Sequence, residues 1–478
     1  MERRVSSARL AALLGPAAEQ APAYLSIADG VRLLVTDRRI PPGTRLPSER
    51  ELTVALGVSR TTVTRAYAHL RDQGLLVSRQ GSGSVVQLPP TTAVSDMLLD
   101  PGPGGAGTIN LTCAAPMAPH GVGAAYEVAL EELAGQLPEY GYFPSGVPAL
   151  REAIARRYDE RGLPTTPDQV LVTSGALSAL AIVARAFVGP GDRVLMESPT
   201  YPNAIATLRG SGARVVGADI DQTGWATSSL VDTVKQVRPR SAYLMPDFHN
   251  PTGLLMADLE RERLAAALRR ARTLVVVDET MVETAMDDAP TPLPFAAHAP
   301  DTVTLGSASK AYWGGLRIGW IRVPQRRMAE VIAARLSLDL GAPVLEQLAL
   351  VQLMARREEL FPVRREQLAA SRAALVSALA TELPSWRFRM PAGGLSLWCE
   401  LPGPVSSALS NAARDHGVQL APGPLFAPEG GLERYLRLPF TQAPETMTEA
   451  IGRIAAAWAG LPRRRTSRTA RPATALVT

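Results

Sequence analysis

Ser307-Ala-Ser-Lys310-Ala-Tyr-Trp-Gly-Gly-Leu-Arg317-Ile-Gly319 places a lysine between two serines and a glycine-rich turn that ends in arginine. Such a stretch is poor material for a helix surface. It suits an amine that must be held, desolvated and nucleophilic, beside a phosphate. Lysine alone among the side chains forms a stable Schiff base with an aldehyde, and arginine cannot replace it. The surrounding chain sharpens this reading. Of its 50 Lys+Arg residues only Lys235 and Lys310 are lysine. Lys235 lies in Leu230-Val-Asp-Thr-Val-Lys-Gln-Val, on a polar helix face, and reads as solvated.

Around Lys310, strand-like runs alternate with helical patterns from Thr108 to about Leu461. The runs are Gln169–Thr173, Arg193–Glu197, Arg214–Ala218, Ala242–Met245, Thr273–Asp278 and Thr302–Ser307, with amphipathic helices such as Leu259–Arg272 between them. That alternation predicts an α/β domain with a mostly parallel sheet. Val276-Val277-Asp278 ends an apolar strand in a carboxylate, at the edge where open α/β sheets bind ligands. Thr173-Ser174-Gly175-Ala176 falls between a strand and an apolar helix, where backbone N–H groups can hold phosphate. Asn250, in Asp247-Phe-His-Asn-Pro-Thr-Gly253, offers an amide to a phenolic oxygen, and Tyr201 offers a ring for stacking. Taken singly, a strand-end Asp or a Ser-Gly turn fits a structural role equally well.

The 478 residues, 46% hydrophobic and 20% charged, are enough for two or more buried cores. Two distant cysteines, Cys113 and Cys399, and five histidines without H-E-x-x-H spacing argue against a disulfide scaffold or a metal site. No secretory leader and no apolar run of 18 residues is legible, so a cytoplasmic protein without membrane association is expected. The net charge of +5 is uneven. Residues 1–88 carry +5, residues 461–478 another +5, and the middle −5. A polyanion partner is therefore expected for an end segment rather than for the body.

The amino-terminal segment has a helical stripe over Ala23–Thr36, stopped by Pro41-Pro42-Gly43. Ser48 and Glu51 then form a capping box for a short helix ended by Gly57, and Ser59 caps the next helix, Arg60–Gln73. Helix, glycine turn and helix make a helix-turn-helix pattern whose second helix opens with hydroxyls and arginine, Ser59-Arg60-Thr61-Thr62-Val63-Thr64-Arg65. The Gly-Ser-Gly turn after Leu75–Arg79 fits a hairpin wing on phosphate. A bare helix pair fits a packing domain with a solvated polar face as well as a DNA reader.

Residues 24–86 resemble the winged helix-turn-helix of the GntR family nearly continuously. The resemblance implies DNA contacts by Arg50, Ser59, Arg60, Thr62 and Thr64, with Gln80 and Gly81 on the wing. Residues 108–460 resemble the fold-type I aminotransferases, through Ser-Gly-Ala, Tyr-Pro, Asn-Pro-x-Gly, the strand-end Asp, Ser-x-Ser-Lys with Arg seven on, and Leu436-Arg437-Leu438. This implies pyridoxal 5'-phosphate as cofactor, with Lys310 as the internal-aldimine lysine and Asp278 as partner of the pyridine nitrogen. Asn250 would reach the ring hydroxyl and Tyr201 the ring face. Ser174, Gly175, Ala176, Ser307, Ser309 and Arg317 would surround the phosphate, Arg437 would pair with an effector carboxylate, and Tyr142 would reach a neighbouring subunit's phosphate. Two departures from the family stand out. Thr280 and Met281 stand where a tyrosine is usual, and Leu177 stands where a glutamine often follows the Ser-Gly turn.

Together the two parts resemble the MocR subfamily of bacterial regulators. The expected organisation is a winged helix-turn-helix at 1–88, a linker at 89–107, an aminotransferase-like domain at 108–461 and a basic, disordered tail at 462–478. The expected partners are double-stranded operator DNA, an amine or amino-acid effector or the cofactor itself, and a second copy in a domain-swapped homodimer. The alternative is a competent aminotransferase with an accessory DNA-binding head.

Overall fold

A computed structural model describes residues 4–15, 22–36, 39–41, 43–72, 75–79, 83–87, 99, 107–220, 224–286 and 289–461. Most of the expected linker, the basic tail, and Gln80 and Gly81 lie outside them.

The head packs four helices, α1 (Ser7–Leu14), α2 (Ala23–Thr36), α3 (Glu49–Leu56) and α4 (Arg60–Asp72), against a hairpin of β1 (Leu76–Arg79) and β2 (Gly83–Val86). Its local signals act as the sequence predicts. Ser48 Oγ accepts from Glu51 N–H while Glu51 Oε2 accepts from Ser48 N–H at 2.7 Å, and Gly57 closes α3 in the left-handed region at φ 65°. Such a cap stabilises a helix by about 1 kcal/mol. Ile27, Val31, Leu52, Val63, Tyr67 and Leu70 form the core, and the Tyr67 hydroxyl donates to Pro47 O at 2.9 Å. α1, which sequence analysis did not anticipate, joins that core through Leu10 and Leu14.

In the large domain β3 (Ile109–Asn110) precedes helices α5 (Val122–Leu133) and α6 (Pro148–Glu160). A seven-stranded sheet follows, built from β4 (Val170–Thr173), β5 (Arg193–Ser198), β6 (Arg214–Asp219), β7 (Ser241–Leu244), β8 (Leu274–Asp278), β9 (Val303–Ser307) and β10 (Gly319–Arg322). Its order is β4-β10-β9-β8-β7-β5-β6, with β10 antiparallel to both neighbours and the β6-β5-β7-β8-β9 pairs parallel. Connecting helices α7 (Ala176–Phe187), α8 (Pro202–Gly210), α9 (Thr227–Val237) and α10 (Asp258–Arg270) cover it. Covered sheets need apolar residues on both strand faces, and β4, β7 and β9 are buried at every position. A second antiparallel sheet of Arg387–Phe388, Ser396–Glu400, Tyr435–Pro439 and Ala421–Pro422 packs on the helices Arg357–Glu382 and Pro444–Gly460 through Leu397, Leu436, Ile451 and Ile454. No helix among the described residues is long and apolar enough to cross a membrane.

Candidate functional site

The carboxyl ends of the parallel strands gather the chemistry-bearing residues at one edge. β8 ends in Asp278, β9 in Ser307 followed by Ser309 and Lys310, β4 runs into Ser174 and Gly175, and Tyr201 and Asn250 follow β5 and β7. Open α/β sheets bind ligands at this edge because the strand order switches there.

Lys310 Nζ donates to Ala114 O at 2.8 Å. Burial holds its amine below the usual lysine range; Arg437 and Arg317 push the same way, and Cys113 and Asp278 oppose. A neutral amine is what nucleophilic lysine chemistry requires. Asp278 is buried, which raises its carboxyl above the usual range. Two donors favour its anion, the Tyr243 hydroxyl at 2.5 Å and Thr280 N–H at 2.9 Å. Thr280, which stands where the family usually has tyrosine, thus serves the carboxylate from its backbone. Met281 is buried in the core behind the second sheet.

A buried arginine closes the other side. Arg437 Nη1 donates to Asn250 Oδ1 at 3.3 Å, Nη2 donates to Thr112 O, and its guanidinium lies 5.1 Å from the Phe426 ring centre. Among the described residues its Nε has no partner, and burial lowers its pKa to about 10. Lys310 and Arg437 therefore grip the Thr112–Ala114 segment together. The Asn250 amide nitrogen faces no acceptor among the recorded hydrogen bonds, because its oxygen is the atom that meets Arg437. Tyr201 is half-buried, its phenol pushed up to about 12 by burial and by Asp278.

A third group lies where α7 begins. No side chain among the described residues caps α7, so its first N–H groups are available. Arg317 Nη2 donates to Ser174 O at 3.3 Å, and a Cβ on Gly175 (φ 92°) would lie 2.7 Å from that nitrogen. A Cβ on Gly319 would lie 2.5 Å from the Gly175 carbonyl carbon. The Ser307 and Ser309 hydroxyls are 2.9 Å apart. A helix N-terminus, an arginine and two hydroxyls form a donor set for a phosphate dianion. With the buried Asp278 and the orphaned Arg437 Nε, they fit pyridoxal 5'-phosphate and a carboxylate. Tyr142, 66% exposed, has no recorded contact with this cluster.

Sequence reasoning missed two buried members. Tyr243 carries the hydrogen bond to Asp278. Glu197, on β5, accepts from Met245 N–H at 2.7 Å, leaves Oε2 without a partner among the described residues, and is pushed up to about 8 by burial. An acid inside the apolar run Val194-Leu-Met-Glu-Ser was a legible signal, of the same kind that singled out Asp278.

In the head, Arg50, Ser59, Arg60 and Thr64 are exposed and Thr62 is half-buried. Ser59 Oγ caps α4 by accepting from Thr62 N–H at 3.1 Å. Thr64 Oγ1 donates to Glu49 Oε2 at 2.6 Å, an intramolecular commitment the sequence did not reveal. No ion pair or hydrogen bond of the Arg50 or Arg60 guanidinium is recorded among the described residues.

Architecture and site together define a fold-type I, pyridoxal-phosphate-type domain carrying a winged helix-turn-helix. The chain belongs to the class I and II aminotransferase family, whose pattern matches residues 117–454, and residues 23–86 match the gntR family of bacterial regulatory proteins. The pairing agrees with the MocR-type arrangement expected from the sequence. It is 33% identical to a 2-aminoadipate transaminase of Thermus thermophilus over 333 residues, 68% of this chain and 81% of that one. It is 28% identical to the HTH-type transcriptional regulator TauR of Rhodobacter capsulatus, over 90% of this chain and 96% of that one. The Thermus thermophilus LysN structure, an alpha-aminoadipate aminotransferase complexed with N-(5'-phosphopyridoxyl)-L-leucine, superposes with a TM-score of 0.68 at 29% identity, covering 74% of this chain and 92% of that one. The chain is thus a transcriptional regulator with an aminotransferase-like domain, of a family that depends on pyridoxal phosphate.

Proposed function

We propose that this regulator holds pyridoxal 5'-phosphate at the Lys310 edge and senses an amine, an amino acid or the cofactor itself there. The observation that carries the reading is the convergence of Lys310, Asp278 and the Arg317–Ser174 corner on one sheet edge of a chain that also has a DNA-reading head. When bound, the cofactor supplies an electron sink and an aldehyde. Lys310 provides the attachment amine, and Asp278 keeps the ring nitrogen protonated. Asn250 gives its amide to the ring oxygen, and Tyr201 covers the ring face. Ser174, Gly175, Ala176, Ser307, Ser309 and Arg317 hold the phosphate, and Arg437 takes an effector carboxylate. Tyr142 is assigned to the second subunit's phosphate in a domain-swapped homodimer, and the exposed apolar side chains Leu137, Tyr140 and Leu338 support a partner surface. Arg50, Ser59, Arg60, Thr62 and Thr64 contact operator DNA, with Gln80 and Gly81 on the wing. Effector binding changes operator affinity, and the coupling is reciprocal.

Absorption spectroscopy tests this. Wild type with added cofactor should show a visible band that Lys310→Ala abolishes, and amino acids should perturb it in wild type but not in Arg437→Ala. No band in wild type would sink the proposal. The 33% identity to a transaminase favours a second reading, full turnover. Sustained keto-acid formation from an amino acid and a second keto acid would establish it; a single half-reaction or none would leave the regulator reading alone.

A further inference from the structure

The middle of the chain is acidic on average, yet its charge is not evenly placed. At the amino-terminal edge of the large sheet, opposite the Lys310 edge, Arg193 opens β5, Arg214 opens β6, Arg240 precedes β7, Arg238 follows α9, and Arg270 and Arg272 end and follow α10. All six are exposed, and none forms an ion pair among the described residues. Two neighbouring grooves of about 460 and 510 Å³ share Arg238 and Arg272, and a third of about 600 Å³ continues past Arg240 and Arg272. The acids on these walls are few: Asp192, whose Oδ2 accepts from Gly189 N–H, and Asp301, paired with Arg326, with Glu330 at the far end.

Helix dipoles account for part of this, because cations favour helix carboxyl termini. They do not account for Arg193, Arg214 and Arg240, which lie in no helix's last turn. Nor do they explain the backbone. Arg238 and Arg272 sit in the left-handed region, at φ 45° and 56°, just past helix ends where glycine carries no steric penalty and is the usual choice. Arginine stands at both positions against that preference. Both side chains line the shared groove.

We infer that this arginine edge is a second DNA contact, a sequence-independent seat for backbone phosphates flanking the site read by the head. It rests on the regulator reading above. Double-stranded DNA suits it because the charges are spread along a groove rather than focused on one pocket, and because the head of the same chain already brings duplex near. Guanidinium–phosphate contacts release counterions, so each one lost should flatten the salt dependence of binding by about 0.9 in log–log slope.

The test is anisotropy titration of the full-length chain, over a range of salt, with a random-sequence duplex of about 60 bp and one of about 16 bp. The variant Arg193→Gln/Arg214→Gln/Arg240→Gln/Arg272→Gln should lose about 2 to 4 units of slope on the long duplex and much less on the short one. Its cofactor band should be unchanged. If that band is lost, the pair Arg193→Gln/Arg240→Gln replaces it, with an expected loss of about 1 to 2 units. Equal slopes and affinities for wild type and a band-competent variant overturn the inference and leave the regulator reading standing. Failure of wild type to bind any duplex at low salt overturns both. Arginine-dependent binding to anionic phospholipid vesicles, with an unchanged DNA slope, assigns the edge to a membrane surface and also overturns it.

Discussion

Tyr243 and Asp278 are joined by a 2.5 Å hydrogen bond from the phenol to Oδ2, between neighbouring parallel strands and away from solvent. Burial raises the Asp278 carboxyl, and this bond is the strongest of the contacts that pull it back down. Tyr243→Phe should therefore raise Asp278 further and weaken its hold on a protonated ring nitrogen. Cofactor retention on dialysis should fall, and stability should drop by about 1–3 kcal/mol because a buried acceptor loses its donor. Retention and melting temperature equal to wild type would contradict this.

Glu197 gives a pH signature. Its folded pKa, pushed up to about 8 from an ordinary 4.5, means the folded state keeps a proton that the unfolded state releases. Its contribution to stability is fully present below about pH 4.5 and is lost as pH rises through about 8. Wild type should melt progressively lower across that window. Glu197→Gln, which cannot ionise, should show a shallower decline in the same scan.

Gly319 marks where β10 presses against the start of α7. Adding one methyl would put Cβ 2.5 Å from the Gly175 carbonyl carbon and 2.7 Å from Ala176 N, with only backbone to move. Gly319→Ala should cost about 1–3 kcal/mol and displace the very N–H groups assigned to phosphate. Inorganic phosphate should then compete with the cofactor less well than in wild type; equal competition would show that the corner absorbs the methyl.

In the head, Arg60 and Thr64 should separate. Arg60 has no recorded partner, so Arg60→Ala should weaken operator binding by about 1–3 kcal/mol in a gel shift, with the visible band unchanged. Thr64 is bonded to Glu49, so Thr64→Val should also lower the melting temperature of the head. An unaltered gel shift for Arg60→Ala would refute the placement of the recognition helix.

What could be read beforehand follows from how local the signal is. The capping box at Ser48 and Glu51, the glycine at 57 and the stretches at strand ends depend on residues a few positions apart, and they appear in the structure as read. The strands Arg193–Ser198 and Leu274–Asp278 came within a residue of expectation because their buried middles, Val194–Met196 and Val275–Val277, are continuous apolar runs. The antiparallel pairing of β10 with β4 was not legible, since pairing partners more than 140 residues apart leave no local trace. Tyr243 and the grip on Thr112–Ala114 were missed for the same reason, as their meaning depends on neighbours that only folding supplies, whereas Glu197, an acid inside an apolar run, was legible and passed over. The arginine edge was hidden by averaging, which spread its charge over a net-acidic segment.

Leu99 has a consequence for mechanics. Its N–H donates to Asn203 Oδ1 at 2.9 Å, Asn203 Nδ2 donates back to its carbonyl, and its side chain packs with Trp398, Ala421 and Phe426, the ring beneath Arg437. The chain from the head is therefore moored at residue 99, beside the proposed effector arginine, well before the large domain's first strand. From Gln87, twelve peptide steps remain, a leash of on the order of 40 Å at full stretch. That length bounds how far the head can stand from its mooring, and with it the stretch of duplex the head can reach from the large domain.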